Sequence, residues 1–330
     1  MNIAILGTGR YLPEFVLRNK DFEAFTDTSD EWIVSRTGMK ERRVSGGEPA
    51  WRMGELAARN ALEAAGVSPG GLDLIICSSV TGDFRYPSVA CMIQGALGAE
   101  NAFAFDIAAA CTGSVYAMDV ARLYLAAGAV KAVLVVGTEW LTQQVDYADR
   151  SSCVLFGDGA GAAVLGRGNG AYGSALFSDP GGAKYLYDAI PRHDYPFLSL
   201  SPCEEAPFPI SRAGAIVMDG REVYKFATKA MPRAVLAACE KAGVRLEDID
   251  LLIPHQANLR ILETAVKNLN FPPQRVYSNI EKYANTSSAT ILIGLDECVR
   301  AGRLKEGDLF CLVGFGSGLT WGALVAEYHR

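Results

Sequence analysis

Two polar residues sit at the ends of apolar strands, and their types suit acyl-group chemistry. Cys111 closes the run AFAFDIAAAC, where a strand passes through small residues into a helix. A cysteine at a helix start faces backbone N–H groups and the positive end of the helix dipole, which favour a nucleophilic thiolate. The small residues around it leave room for a thioester. His255 follows the apolar run LLIP in IPHQANLRI. Of the three histidines, His193 lies in a Pro-rich loop and His329 beside the C-terminus, which leaves His255 as the candidate catalytic imidazole. Gln256 and Asn258 just after it are costly to bury unless they meet a ligand or each other. Plainer readings stand beside these: a small core thiol for Cys111, and a hydrogen-bonded structural histidine for His255.

The elements that must position these groups form a repeated α/β pattern. Apolar runs of strand length (72–78, 102–107, 132–137, 251–254 and 309–313) alternate with helical stretches (52–65, 115–127 and 223–241), which predicts parallel sheet. Segment 64–79 recurs at 240–256 with a constant offset of 177, pairing Gly66 with Gly243, Asp73 with Asp250 and Ser78 with His255. A second match aligns Cys111–Ser114 with Asn285–Ser288 at an offset of 174 and holds register to Gly128/Gly302 and Lys131/Lys305. Asn285 therefore occupies in the second copy the place of Cys111 in the first, although by itself it reads as a helix cap. Ligands of such sheets bind at the carboxyl ends of strands. The duplication makes Cys111, His255 and Asn285 candidates for one shared site.

Composition excludes several other functions. A chain of 330 residues that is 50% hydrophobic and 21% charged belongs with globular proteins rather than disordered ones. Lys and Arg number 31 against 37 Asp and Glu, a net charge of −6, so no global field favours nucleic acid or an acidic membrane. The opening MNIAILGTGR has no cationic start and only the short apolar run Ile3–Leu6, so no signal peptide or anchor is expected. Asp106, Lys131 and Glu139 interrupt other apolar stretches before any reaches membrane-spanning length, and a cytoplasmic location is expected. The eight cysteines, at 77, 91, 111, 153, 203, 239, 298 and 311, form no CxxC, which predicts reduced thiols rather than disulfides or a zinc site. Gly7-Thr8-Gly9 starts like a dinucleotide loop, but Leu12 stands at the third glycine position and Pro13 follows. The loop GFGSG (314–318) could bring backbone N–H groups beside the shared site.

In order and spacing, DTSDEWIVSRTGMKERR (27–43), DIAAACTGSVYAM (106–118), LFGDGAGAAVL (155–165), PHQANLRI (254–261), NTSSAT (285–290) and GFGSGLTWG (314–322) resemble β-ketoacyl-[acyl-carrier-protein] synthase III across essentially the whole chain. The resemblance implies an α/β thiolase-like fold, a duplicated αβαβα five-layered core with pseudo-two-fold symmetry. It divides the chain into an N-terminal half, 1–170, with the nucleophile and a C-terminal half, 171–330, with the histidine and asparagine, including a cap loop at about 171–219. Cys111, His255 and Asn285 are its implied catalytic trio. Cys111 takes an acyl group from acyl-CoA; malonyl-acyl carrier protein then decarboxylates while neutral His255 Nε2 and the Asn285 amide donate to the enolate oxygen. The Cys111 and Ser317 N–H groups are implied as oxyanion donors, with Phe315 as a wall.

By the same resemblance Trp32, Arg36 and Arg150 meet the adenine end of CoA, and Thr37, Gly220, Tyr224, Ala257 and Asn258 line the pantetheine tunnel. Taken alone, Arg150 reads as a solvated surface charge. Lys225, Arg260 and Lys267 fall where the acidic carrier protein docks, and Tyr86 where a homodimer closes its neighbour's acyl pocket. No metal or other cofactor is implied, acyl-CoA being a substrate. Departures matter as well. Ser114 stands where a bulky aromatic is common and is expected to enlarge or reshape the acyl pocket. Ala284 replaces the usual Gly before Asn285, which puts that loop's conformation in question. The region between about 170 and 219 is longer than the family pattern and includes a Pro- and aromatic-rich stretch at 185–210, so primer choice does not carry over. A relative that transfers the acyl group to another acceptor, and a non-catalytic CoA-binding scaffold, are the alternative functions.

Overall fold

The computed structural model describes residues 2–190 and 214–329, so His193, Cys203 and most of the 185–210 stretch lie outside it. In chain order the strands are β1 (Asn2–Tyr11), β2 (Phe15–Arg18), β3 (Glu41–Val44), β4 (Leu74–Ser78), β5 (Phe103–Ile107), β6 (Val133–Trp140), β7 (Asp158–Gly168), β8 (Tyr172–Ser178), β9 (Leu186–Asp188), β10 (Ile216–Met218), β11 (Leu251–Pro254), β12 (Leu309–Gly316) and β13 (Thr320–Glu327). The α-helices are α1 (Asp30–Thr37), α2 (Ala50–Ala65), α3 (Val89–Leu97), α4 (Gly113–Ala127), α5 (Arg150–Cys153), α6 (Gly220–Ala242), α7 (Leu259–Leu269), α8 (Ile280–Tyr283) and α9 (Ala289–Arg300).

One sheet has the order β1-β7-β6-β4-β5 and the other β11-β12-β13-β8. In the first, β4 runs parallel to β5 and β6 while β7 runs antiparallel to β6 and β1. The second repeats this, with β11 parallel to β12, then antiparallel β13 and β8. Its counterpart of β5 is reduced to a parallel bridge between Leu252 and Val276. Because both faces of each sheet are covered, β4 and β11 are buried along their whole length and read as continuous apolar runs.

Three apolar cores separate five layers. On the outside, α2 and α3 pack Met53, Ala57, Ala61 and Ile93 against Ile75, Leu134 and Val164 of the first sheet. Between the sheets, α4 and α9 bring Val115, Met118, Ile291 and Leu295 against Ile76 and Val135 on one side and Ile253, Phe310 and Leu312 on the other. On the far side, α6 and α7 set Ala227, Met231 and Leu262 on Leu252, Val313 and Val325. Each fully buried aliphatic side chain contributes about 1.5–3 kcal/mol.

The repeated residues do the same work twice. Gly66 and Gly243 end α2 and α6 in the left-handed conformation, with φ of 65° and 69°. Asp73 Oδ2 accepts the Ala132 N–H at 3.0 Å and Asp250 Oδ2 the Leu309 N–H at 2.9 Å, so each aspartate starts a parallel strand pair. A Cβ on Gly7 would lie 2.4 Å from Ala65 N, and one on Gly173 would lie 2.3 Å from Ala242 N. Gly7-Thr8-Gly9 thus lets β1 lie on the α2 backbone and is no nucleotide loop.

Three features stand out against the residue patterns. The nearly apolar α4 leaves Leu123 51% exposed, and Phe103 on β5 is 47% exposed; among the described residues β5 is the edge of its sheet. Within 171–219, Tyr172–Ser178 forms the outer strand β8, and the cap segment begins only after it, with β9 and β10 as a short antiparallel pair. Ala284, in the glycine position, is held at φ 54° and ψ −146°.

Gly9→Ala should lower the unfolding free energy by about 1–3 kcal/mol, since its methyl would lie 2.3 Å from Ala61 N and the α2 backbone must move. Urea unfolding checks this; an unchanged midpoint contradicts the close approach. Ala284→Gly should raise stability by about 1 kcal/mol, because relief of about 1–3 kcal/mol of strain exceeds the roughly 0.4–1 kcal/mol of chain freedom that glycine restores to the unfolded state. The same titration would show a higher midpoint, and a lower one would contradict the strain.

Candidate active site

Cys111 occupies a single 3-10 turn, Ala110–Thr112, between β5 and α4, and Ala110 is bent to φ 45°. Thr112 Oγ1 donates to Thr320 O at 3.1 Å, and Thr320 Oγ1 lies 3.1 Å from Ala109 O, so the turn is pinned to the start of β13. A Cβ on Gly316 would stand 2.7 Å from Cys111 N and 3.2 Å from Cys111 Cβ. Only glycine lets the end of β12 lie so close to the turn. Cys111 is partly exposed. Burial pushes its thiol up to about 12, so the sulfur rests protonated; desolvation outweighs the helix-start field that favours a thiolate.

His255 extends β11, its N–H donating to Val313 O at 2.8 Å. The imidazole is buried, 5.4 Å from the Phe315 ring and edge-on to it. Burial pulls its pKa down to about 3, which keeps the ring neutral. Nδ1 lies 2.7 Å from Thr290 Oγ1, which also lies 2.9 Å from the Ser287 carbonyl oxygen. Donated to the imidazole, the Thr290 proton fixes the Nε2–H tautomer; donated to Ser287, it leaves Nδ1 as the protonated nitrogen. The polar residues after His255 are satisfied by protein. Gln256 donates to Pro254 O and accepts from Ser278 Oγ, and Asn258 caps α7 while donating to Arg36 O at 3.1 Å.

Asn285 forms a bridge with Phe156, and its Oδ1 accepts the Ser287 N–H at 2.8 Å. The carboxamide therefore offers its Nδ2–H groups. Ser287 is the common neighbour of all three candidates. Its N–H holds Asn285, its carbonyl lies beside the His255 imidazole, and its hydroxyl lies beside the Cys111 sulfur. A left-handed backbone at φ 47° aims these groups in different directions.

Sequence reasoning missed Ser287, Thr290 and Glu139. The last is fully buried, accepting from Val80 N at 3.0 Å and Thr81 Oγ1 at 2.9 Å, with Ser288 Oγ at 2.8 Å. Its signal was a carboxylate inside the apolar run VLVVGTEWL. Ser114 Oγ donates to Ser288 O, and a Cβ on Gly137 would lie 2.7 Å from it, so this serine sits in packed space and reshapes the interior without opening it.

Farther out, the Arg150 guanidinium lies 4.7 Å over the Trp32 ring and donates to Asp27 O at 2.6 Å, so it is not a free surface charge. Arg36 is exposed on α1, while the buried Thr37 hydroxyl donates to Ile33 O and accepts the Met39 N–H. Gly220 opens α6, Ala257 is half-buried, and Tyr224 OH pairs with Thr264 Oγ1 at 2.8 Å, joining α6 to α7. Lys225 pairs with Glu222, and Arg260 and Lys267 are exposed on α7. Ser317 Oγ donates to Leu186 O, tying GFGSG to β9, and Phe315 is buried. Tyr86 is 86% exposed. Among the described residues, His, Cys, Asp and Glu form no group of three that could hold a metal ion.

Known proteins resemble this chain in sequence and fold. Residues 105–183 match the family 3-oxoacyl-[acyl-carrier-protein] synthase III, and residues 239–328 match its C-terminal part. The β-ketoacyl-[acyl-carrier-protein] synthase III of Caldanaerobacter subterraneus is 46% identical over 99% of this chain and 98% of its own length. Among solved structures, the synthase III of Thermus thermophilus is 43% identical with a TM-score of 0.91, covering 99% of each chain. A priming β-ketosynthase of a polyketide biosynthetic pathway is 36% identical with a TM-score of 0.90, covering 99% of this chain and 96% of its own. The chain has the thiolase-like α/β fold and belongs to the β-ketoacyl-[acyl-carrier-protein] synthase III family.

Proposed function

We propose that this chain, an acyltransferase that initiates fatty acid synthesis, joins a short acyl group from acyl-CoA to malonyl-acyl carrier protein through Cys111. The observation that carries this reading is the meeting of Cys111, His255 and Asn285 at one residue, Ser287. In the first stage the Cys111 sulfur attacks the thioester carbonyl. An S–C bond forms, the C–S bond to CoA breaks, and the thiol proton finishes on the CoA sulfur. The Cys111 and Ser317 N–H groups serve as oxyanion donors. Support comes from Gly316, which holds the GFGSG backbone against the nucleophile turn.

In the second stage the malonyl C–C bond to the carboxylate breaks, CO2 leaves, and the electron pair moves onto the thioester oxygen. His255 Nε2–H and Asn285 Nδ2–H donate to that oxygen, which requires the single Thr290 proton to turn from Ser287 O to Nδ1. The carbanion then attacks acyl-Cys111, a C–C bond forms and the C–S bond to Cys111 breaks, releasing the 3-ketoacyl carrier protein and a thiolate that takes a proton from solvent to restore the resting thiol. Nothing in these steps requires a metal or prosthetic group. Trp32, Arg36 and Arg150 take the adenine end of CoA, where stacked rings and guanidinium charge suit a phosphate-bearing nucleotide. Thr37, Gly220, Tyr224, Ala257 and Asn258 line the tunnel, with Phe315 as a wall. Lys225, Arg260 and Lys267 form a basic patch for the acidic carrier on an otherwise acidic chain.

The first half, 1–170, supplies the nucleophile, and the second, 171–330, the imidazole and carboxamide. A homodimer completes the assembly. Its support is the edge of β5, unpaired among the described residues, where Phe103 is exposed, together with exposed Phe84, Leu123 and Tyr86, the last read as closing a neighbour's acyl pocket. A cytoplasmic location fits the seven described cysteines, which are all free thiols.

Incubation with acetyl- or branched acyl-CoA should add one acyl mass to the protein, and Cys111→Ser should abolish it. His255→Ala and Asn285→Ala should keep this labelling yet slow condensation by about 10²–10³-fold, as expected for loss of an oxyanion donor. Intact-mass spectrometry and product analysis read both; equal loss of the two half-reactions would contradict the division of roles. Because burial lowers the His255 pKa, protons are excluded and the neutral form persists as pH falls. Condensation by pre-acylated enzyme should therefore show no inflection near 6.5, the ordinary histidine value, and an inflection there would contradict a buried neutral ring.

A further inference from the structure

The Ser287 hydroxyl has no task in the steps above, and it is a costly group to leave idle. Ser287 is buried, and its Oγ has no hydrogen-bond partner among the described residues. An unsatisfied buried hydroxyl is destabilising, and φ 47° is unfavourable for serine. Two groups lie beside this hydroxyl: the Cys111 sulfur and the Glu139 carboxyl.

Glu139 does not require the Ser287 proton. Oε2 already accepts from Val80 N and Thr81 Oγ1. Oε1 faces Ser288 Oγ at 2.8 Å, and that hydroxyl also lies 3.0 Å from Ser78 O. Ser288 has one proton for two oxygens. Both contacts are satisfied when Ser288 donates to Ser78 O and Glu139 Oε1 carries a proton donated to Ser288. The titratable groups facing Glu139 are the Cys77 thiol from β4 and Cys111, and among the described residues no ion pair joins it to a lysine or arginine. Burial favours the uncharged acid. His255, the other titratable group at the site, is neutral as well.

We infer that Ser287 is a further catalytic residue, whose hydroxyl donates a hydrogen bond to the Cys111 sulfur as it becomes a thiolate, with Glu139 held beside it as an uncharged acid. The inference rests on Cys111 being the nucleophile. Ser287 keeps its proton throughout, and the thiol proton still finishes on the CoA sulfur.

The test uses Ser287→Gly, which accommodates the left-handed backbone, together with Ser287→Ala. Alkylation of Cys111 by iodoacetamide is followed against pH by peptide mass, alongside acylation from acyl-CoA and condensation by pre-acylated enzyme. Loss of the donor should move the alkylation midpoint up by about one pH unit and slow acylation about tenfold in both variants, and condensation, which releases the same thiolate, should slow as well. Glu139→Gln should leave the midpoint in place. An unmoved midpoint in Ser287→Gly overturns the inference, and slowed half-reactions with that midpoint unmoved would mark a merely structural role. A downward shift in Glu139→Gln overturns it too, because Glu139 would then be charged. Should Glu139→Gln fail to fold, infrared spectra of the parent with isotope-labelled glutamate decide: a protonated carboxyl band at neutral pH supports the inference and its absence overturns it. Alkylation needs no CoA, so a Cys111 that alkylates normally yet takes acyl groups from no CoA thioester would refute the proposed function and leave this inference standing.

Discussion

A single left-handed residue organises the site. Between the bridge at Asn285 and the first turn of α9, the chain must reverse while presenting an N–H, a carbonyl and a hydroxyl to three different groups. A right-handed serine would start the helix earlier and point these groups along its axis. At φ 47° Ser287 instead fans them out toward Asn285, His255 and Cys111. Ala110, next to Cys111, and Ala284, next to Asn285, also carry positive φ, so three non-glycine residues beside the candidate groups are strained. Strain of this kind persists only where surrounding packing over-determines it, and here the surroundings are the two central helices.

Those helices are where duplication becomes chemistry. α4 and α9 share the middle layer, so the turn before each arrives at the same place from opposite halves. Cys111 precedes one and Asn285 the other. β12 closes the space from a third direction, its Gly314 and Gly316 lying on the Cys111 turn, while β11 ends one strand away and delivers His255. The outer helices matter less for chemistry than for rigidity: glycines on β1 and β8 let α2 and α6 approach to backbone contact and clamp both sheets.

Burial then sets the charge state. Burial raises the pKa of the Cys111 thiol and of the Glu139 carboxyl and lowers that of the His255 imidazole, each toward its uncharged form. Charge that develops on a sulfur or a thioester oxygen would then meet oriented N–H and O–H groups. This differs from the expectation of a resting thiolate at a helix start. The dipole is there, but desolvation is larger, so the field acts on the developing charge rather than on the ground state.

Much of this was legible in the residues. The paired glycines and aspartates of the repeat located both helix ends and both parallel strand pairs, and apolar runs without alternation marked sheets covered on both faces. Cys111 and His255 stood out as polar residues closing apolar strands, and Asn285 through its repeat partner. Ser287 and Thr290 were hidden inside a run of small polar residues where no one of them looks special, and Glu139 looked like a mere break in an apolar strand. The exposed side of α4 was illegible because apolarity cannot distinguish a face covered by its own chain from one left open at a sheet edge. The most direct test of the convergence is a crystal structure of the protein after reaction with an acyl-CoA. The account predicts a thioester on Cys111 whose carbonyl oxygen sits within hydrogen-bond distance of the Cys111 and Ser317 N–H groups, with Ser287, His255 and Asn285 around it. An acyl group on another cysteine, or a carbonyl turned away from those donors, would contradict it.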